Sequence, residues 1–252
     1  MKPQFLQKLN IHADWNSFIS YENQKHIKEI ENKMIEGEFT PAPEKVLRFL
    51  EFPLHSAKII ILGQDPYPQA GVATGRAFEV GTLKSWNQPF RNVSLKNILR
   101  AVYKAYTGKV LKFNYLKEKM DNEFPVLPPG GFFANWEKQG VLLLNTSFTC
   151  QTGKPGSHQK YWEDFTQNLL EFISINAENA TWFLWGNHAF KATRYLSLKN
   201  YIFTNHPMMC NSNGRENDFL FGRVNCFEPF IPDIDWTGYG LKKGLKTNNK
   251  LF

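Results

Sequence analysis

Four side chains in this sequence have the types and settings for chemistry on a flat, hydrogen-bonding ring: Asp65, Phe78, Asn145 and His206. Asp65 lies in "GQDPYP", between Gln64 and Pro66, with Tyr67 and Pro68 stiffening the chain further. Proline fixes its own φ and restricts the residue before it, so a carboxylate here is held in place and only partly solvated. It suits a general base or a counter-charge to a developing cation; Asp before Pro is also a common turn former. Asn145 ends the run "VLLLN", and an amide there offers a donor and an acceptor together, the pattern that reads an imide N–H beside a carbonyl. The same amide can equally cap the next segment. His206, in "TNHPMM", can donate to a ligand or accept from it, or be satisfied within its loop. Phe78, in "GRAFEV", can stack on a flat ring, although most of the 22 phenylalanines must belong to a core.

The elements that position these residues are visible as short apolar runs: "KIIIL" (58–62), "VLLL" (141–144), "TWFLW" (181–185) and "YIF" (201–203). Runs of this length without polar alternation read as strands covered on both faces, as in a parallel sheet flanked by helices. "SFISYENQKHIKEIENKMIEG", "SLKNILRAVYKAY", "YWEDFTQNLLEFISINA" and "NHAFKATRYLSL" repeat apolar residues at helical spacing and supply that cover. The expected fold is therefore α/β, a single domain over residues 1–252 with a central, mainly parallel four-stranded sheet and helices on both faces. Each strand runs into a polar or glycine-bearing ending: "GQDPYP", Asn145-Thr146, Gly186-Asn187 and "TNHP". Ligands of open parallel sheets bind beyond the carboxyl ends of the strands, so the four endings are expected to share one cleft.

Composition narrows the classes. The chain has 252 residues, 42% hydrophobic and 15% aromatic, with a net charge of +7 and a pI near 9.2, which favours an anionic partner such as nucleic acid. Part of that charge sits in the tail "GLKKGLKTNNKLF", where Lys242, Lys243, Lys246 and Lys250 meet no acid; residues 238–252 are expected to be mobile. Three cysteines, Cys150, Cys210 and Cys226, with no C-x-x-C spacing suggest neither a disulfide framework nor a metal site, and the six histidines form no H-x-x-x-H array. No metal or other cofactor is expected. The G-x-x-x-x-G-K-[ST] and G-x-S-x-G motifs are absent. No apolar run approaches a membrane span and no secretory leader is evident, so a cytoplasmic setting is expected.

Taken together, these segments resemble the family 1 uracil-DNA glycosylases, from about Glu29 to about Trp236. "GQDPYPQAGVATGRAFEV" is similar to the family's water-activating loop and the phenylalanine after it. "WEKQGVLLLNTSFT" and "LWGNHA" match two further segments, and "SLKNI", Ser157-His158 and "YWEDFT" fall in the same order. The resemblance implies that Asp65 orients the attacking water and stabilises the sugar cation, and that His206 faces uracil O2. Asn145 would read N3–H and O4, Phe78 would stack on the base, Tyr67 would block C5, and Gln64 would contribute through its backbone. The signs of charge agree, since cleavage of a glycosidic bond leaves positive charge on the sugar and negative charge on the base. A base must leave the stack to reach such a pocket.

The sequence also departs from the family. Pro68 replaces the usual histidine after "DPY", and "HPMMCN" replaces "HPSPLS", so that Met208, Met209, Cys210 and Asn211 stand where phosphate-pinching serines and a wedging leucine are usual. Asn187 replaces a serine, and Ser94 lacks the prolines that usually precede it. Ser94, Asn187, Met208, Met209, Cys210 and Asn211 are the expected DNA contacts, with Met208 or Met209 as the wedge. The function implied is excision of uracil from DNA by a monomeric, monofunctional glycosylase, with uracil-containing DNA and a proteinaceous uracil-glycosylase inhibitor as partners. Two other readings stay open at this level: a DNA-binding scaffold that keeps the fold without the activity, and a glycosylase with shifted base or strand preference.

Overall fold

The computed structural model describes residues 4–34, 37–213 and 216–244. In chain order its elements are α1 (Gln4–Gln7), α2 (Tyr21–Lys33), β1 (Phe39–Thr40), α3 (Pro43–Val46), β2 (Ile59–Gly63), α4 (Val93–Thr107), α5 (Phe113–Met120), α6 (Pro129–Lys138), β3 (Val141–Asn145), β4 (Cys150–Gln151), α7 (Gln159–Asn176), β5 (Thr181–Trp185), α8 (Asn187–Thr193) and β6 (Asn200–Thr204). The expected four-stranded sheet is present in the order β3-β2-β5-β6, and β2 runs parallel to both of its neighbours. Every residue of β2 and β3 is buried, which accounts for the absence of alternation in "IIILG" and "VLLLN". The chain groups into two compact units, one of Met1–Thr82 with Gly140–Ile202 and the other of Leu83–Gln139 with Phe203–Phe252.

In the first unit β2 pairs with β3 in a register that sets Ile59 opposite Val141 and Gly63 opposite Asn145, and with β5 from Ile59 opposite Thr181. A two-residue antiparallel pairing of β1 with β4, too short to leave a sequence pattern, ties residues 39–40 to 150–151. The helix expected from residue 17 begins at Tyr21, where the Ser20 hydroxyl accepts a hydrogen bond from the Asn23 N–H and caps the first turn. The helix expected through residue 198 stops at Thr193. An aromatic core packs Trp15 edge-on to Phe49 (5.3 Å) and Phe148 edge-on to Trp162 (5.0 Å).

In the second unit α4 is capped by Gly108, whose φ of 70° closes the helix with a bond from its N–H to the Lys104 carbonyl. Helices α5 and α6 were not expected from the sequence. The "PPGG" that opens α6 has the composition of a loop, yet proline is tolerated in a first helical turn, and Phe132, Phe133 and Trp136 then bury one face. Trp136 lies edge-on to Trp236 at 4.9 Å and donates its indole N–H to the Trp236 carbonyl at 2.9 Å; the Trp236 indole in turn donates to Phe227 at 2.9 Å. Large aromatics thus bury their area while their polar edges stay paired. The first part of the tail is tied down, Gly244 N–H to the Tyr106 carbonyl and Lys243 to Glu228 at 2.7 Å; residues 245–252 of the tail lie outside the described residues.

Trp136→Ala removes the centre of this cluster and leaves the Trp236 carbonyl without its donor. It is expected to destabilise the protein by ~3–5 kcal/mol, read from urea unfolding; an unchanged midpoint would refute this placement of the core.

Candidate active site

The chemistry-bearing corner of the first unit is built where β2 and β3 end side by side. Because Gly63 faces Asn145 in the ladder and carries no Cβ, the Asn145 side-chain oxygen lies directly over it; a Cβ at position 63 would collide with that oxygen and stand 2.9 Å from the Ala77 Cβ. Asn145 is 5% exposed, so its amide is held in a nearly dry setting where hydrogen bonds discriminate strongly. Ala77 N–H donates to the Leu143 carbonyl at 3.4 Å, which carries the next residue, Phe78, to the same edge. Phe78 has φ 65°, the single positive value at a non-glycine among the described residues. An aromatic side chain in that region costs ~1–3 kcal/mol and persists only where its surroundings impose it. Its ring stands 5.2 Å from that of Trp185, the last residue of β5, and the Tyr67 hydroxyl donates to its carbonyl at 3.4 Å.

The loop of Asp65 is fastened from the far side by residues 146–153. Thr146 N–H donates to the Gly63 carbonyl (3.0 Å), Ser147 N–H to Gln64 (2.9 Å), and Gly153 N–H to Pro68 (2.8 Å). The Cys150 thiol approaches the Pro66 carbonyl at 3.6 Å. So polar and stiff a corner can follow a buried strand because its carbonyls are met by this second segment. Within it, Asp65 accepts a hydrogen bond on Oδ2 from the Gln159 side-chain amide at 2.9 Å, whereas Oδ1 is buried with no hydrogen-bond partner. Burial raises the Asp65 carboxyl above its ordinary 3.8; the Gln159 bond, the charge of His188, and the side chains of Gln64 and Ser147 pull it back in part. One oxygen is thus anchored by Gln159, and the carboxylate as a whole is partly desolvated.

Gln159, Thr146 and His188 support this corner and were not singled out in the sequence. The Thr146 hydroxyl donates to the Gln64 carbonyl at 3.1 Å, and so accepts from His188 Nε2 at 2.7 Å. Burial pushes His188 below the usual imidazole range, with Asp65 opposing. A glutamine opening a helix and a threonine after a strand carry no local signal of such work; only the packing of α7 and α8 assigns it.

Asn187 is exposed as the first residue of α8, behind Gly186 with φ 90°. Gln64 is exposed, while Asp65, Tyr67 and Phe78 are half-buried. The first unit therefore brings together Gln64, Asp65, Tyr67, Phe78 and Asn145.

His206, Met208, Met209, Cys210, Asn211 and Ser94 belong to the second unit. Met208 N–H donates to His206 Nδ1 at 3.1 Å, so the neutral ring carries its proton on Nε2 and presents a donor there. The loop is anchored by Asn97, which donates to the Pro207 carbonyl at 2.7 Å and is itself held by Arg100 at 2.7 Å. Asp218, 1% exposed, accepts from the Asn211, Leu220 and Phe221 N–H groups at 2.8 Å. Met208 and Met209 project from this fastened turn, 59% and 66% exposed. Cys210 donates to Pro207 at 3.2 Å, and burial pushes its thiol up to about 11, which keeps it protonated. Ser94 lies half-buried in the first turn of α4.

Two outcomes follow from this geometry. Gly63→Ala is expected to push the Asn145 amide from its seat at a cost of ~1–3 kcal/mol, visible in the urea midpoint and in the Asn145 side-chain NH2 resonances; unchanged resonances would refute the contact. Because the folded state raises the Asp65 pKa, the ionised carboxylate opposes folding at neutral pH, and that penalty is absent below the unfolded value of 3.8. Asp65→Asn should therefore be more stable than the parent at pH 7, with the difference shrinking as pH falls towards 3.8; urea unfolding across pH measures it, and a destabilised variant at pH 7 would contradict it.

The comparisons with known proteins point the same way. Residues 49–233 match the model of the uracil DNA glycosylase superfamily. Uracil-DNA glycosylase 1 of Listeria monocytogenes serovar 1/2a is 30% identical over 234 residues, covering 88% of this chain and 96% of the relative. Uracil-DNA glycosylase of varicella-zoster virus (strain Dumas) is 32% identical over 247 residues, covering 93% and 73%. Among solved structures, a variant of mimivirus UNG in complex with UGI superposes with a TM-score of 0.62 at 27% identity, over 79% of this chain and 70% of that one. With the family match spanning most of the sequence and relatives of this identity covered over most of their length, this chain belongs to the uracil-DNA glycosylase superfamily.

Proposed function

We propose that this chain hydrolyses the N-glycosidic bond of deoxyuridine in DNA, releasing uracil and leaving an abasic site, as a monofunctional glycosylase of family 1. The observation that carries the reading is the setting of Asp65: Oδ2 is held by Gln159, Oδ1 has no hydrogen-bond partner, and Gly63, two residues earlier, faces the dry amide of Asn145 in the ladder. As the bond from C1′ to the base breaks, its electron pair leaves with uracil and positive charge grows on the sugar, which the partly desolvated carboxylate stabilises. Water held on Oδ1 then adds to C1′, and its proton passes to the carboxylate, whose raised pKa suits it to receive one. His206 supplies its Nε2–H to the negative charge on uracil O2. Phe78 offers the stacking face, Asn145 reads the imide edge, and Tyr67, bonded to the Phe78 carbonyl, excludes a methyl at C5. Gln64 adds its backbone.

The DNA itself is proposed to be gripped by Ser94, Asn187, Asn211 and Cys210, with the exposed Met208 and Met209 wedging into the vacated stack. UGI is the partner of the mimivirus UNG variant, and by that likeness a proteinaceous inhibitor of this kind is a proposed partner here.

Asp65→Asn is expected to slow single-turnover release of uracil from an oligonucleotide by roughly 100- to 1,000-fold. An unaffected rate would remove its role. Asn145→Asp should move preference towards cytosine, because a carboxylate accepts from the exocyclic amine; unaltered selectivity on a panel of uracil and cytosine oligonucleotides would refute the reading of the imide edge.

A further inference from the structure

Beside the Asp65 corner the first unit holds a cavity of about 760 Å³ whose use the proposed reaction does not explain. It lies along α7 and α8, and its wall includes Gln159, Thr146 and His188, the three residues that brace the Asp65 loop. Three cations line it, Lys160, Lys191 and Arg194, against the single carboxylate of Glu163. All three are exposed, and none pairs with a carboxylate among the described residues. Ser157, whose oxygen accepts the Gln151 N–H at 2.8 Å, keeps its hydroxyl proton to give. Cations and hydroxyls around a hollow of this size form a site for a multiply charged anion rather than for an apolar ligand.

We infer that this cavity binds the phosphodiester backbone of the DNA strand that carries the target nucleotide, through Lys160, Lys191 and Arg194. The choice of DNA as the anion rests on the proposed glycosylase reading. A strand delivering a sugar to Asp65 must continue past it, and successive phosphates on one strand are spaced by only ~3.4 Å of helix axis, so neighbouring phosphates pass within reach of the cavity wall at Gln159, the residue bonded to Asp65. Such contacts position the strand without reading its sequence.

The test measures how affinity depends on salt. A single-stranded oligonucleotide with one 2′-fluoro-deoxyuridine, whose glycosidic bond resists cleavage, is bound at a series of salt concentrations by the parent and by Lys160→Ala/Lys191→Ala/Arg194→Ala. Loss of three phosphate contacts should reduce the magnitude of the slope of log K against log salt by about 2, at ~0.7 per contact on a single strand. The charge-conserving Lys160→Arg/Lys191→Arg/Arg194→Lys should restore it. An unchanged slope overturns the proposal, as does an equal loss of slope in Lys8→Ala/Lys112→Ala/Lys138→Ala, three exposed lysines outside the cavity whose removal changes net charge by the same amount. If the slope falls as expected but neither parent nor variant releases uracil from a cleavable oligonucleotide, the groove stands and the assigned reaction fails.

Discussion

The close approach of Asn145 to Gly63 is the constraint on which the candidate site depends. Two parallel strands end at the same level, and the residue facing Asn145 has no Cβ, so the amide lies across the ladder instead of pointing away from it. From that shared edge the chain after β2 becomes the Asp65 loop and the chain after β3 becomes the segment that fastens it. A slip of one residue in this register would turn the side chains of either strand to the opposite face and part the amide from the carboxylate.

Rigidity at this edge is bought with strain and desolvation. Phe78 keeps a left-handed backbone, one oxygen of Asp65 is buried without a partner, and its carboxyl is raised above the ordinary range. Each would be unfavourable in an ordinary surface loop. They persist because the surrounding strands are wholly buried and their loops are hydrogen-bonded to one another, so the core opposes relaxation. The histidine loop of the second unit is stiffened by different means: Asn97 and Arg100 hold one end through a helix, and the buried Asp218 gathers three N–H groups at the other. Two exposed methionines project from this fixed turn.

Much of the architecture is legible without coordinates. Four apolar runs mark the four strands to within a residue at every end, and their unalternating composition announces burial on both faces. Asp65, Tyr67, Phe78 and Asn145 stand out because proline, aromatic and amide residues occur where a strand has just left its cover. Helices α5 and α6 were not legible, since one is short with only Leu116 and Met120 buried and the other opens in prolines and glycines. Their helicity comes from the face they bury, and that depends on partners distant in the chain.

The sequence by itself determined the strand order along the chain, the residue types at each strand's end and the family to which they point, because these are written in local pattern and motif. Tertiary structure decided that Gln159 braces Asp65, that one carboxylate oxygen is left unpartnered, that His206 carries its neutral proton on Nε2 and that three cations share a cavity wall. Each of these is a relation set by register, burial or packing, and none can be computed from a residue's sequence neighbours alone.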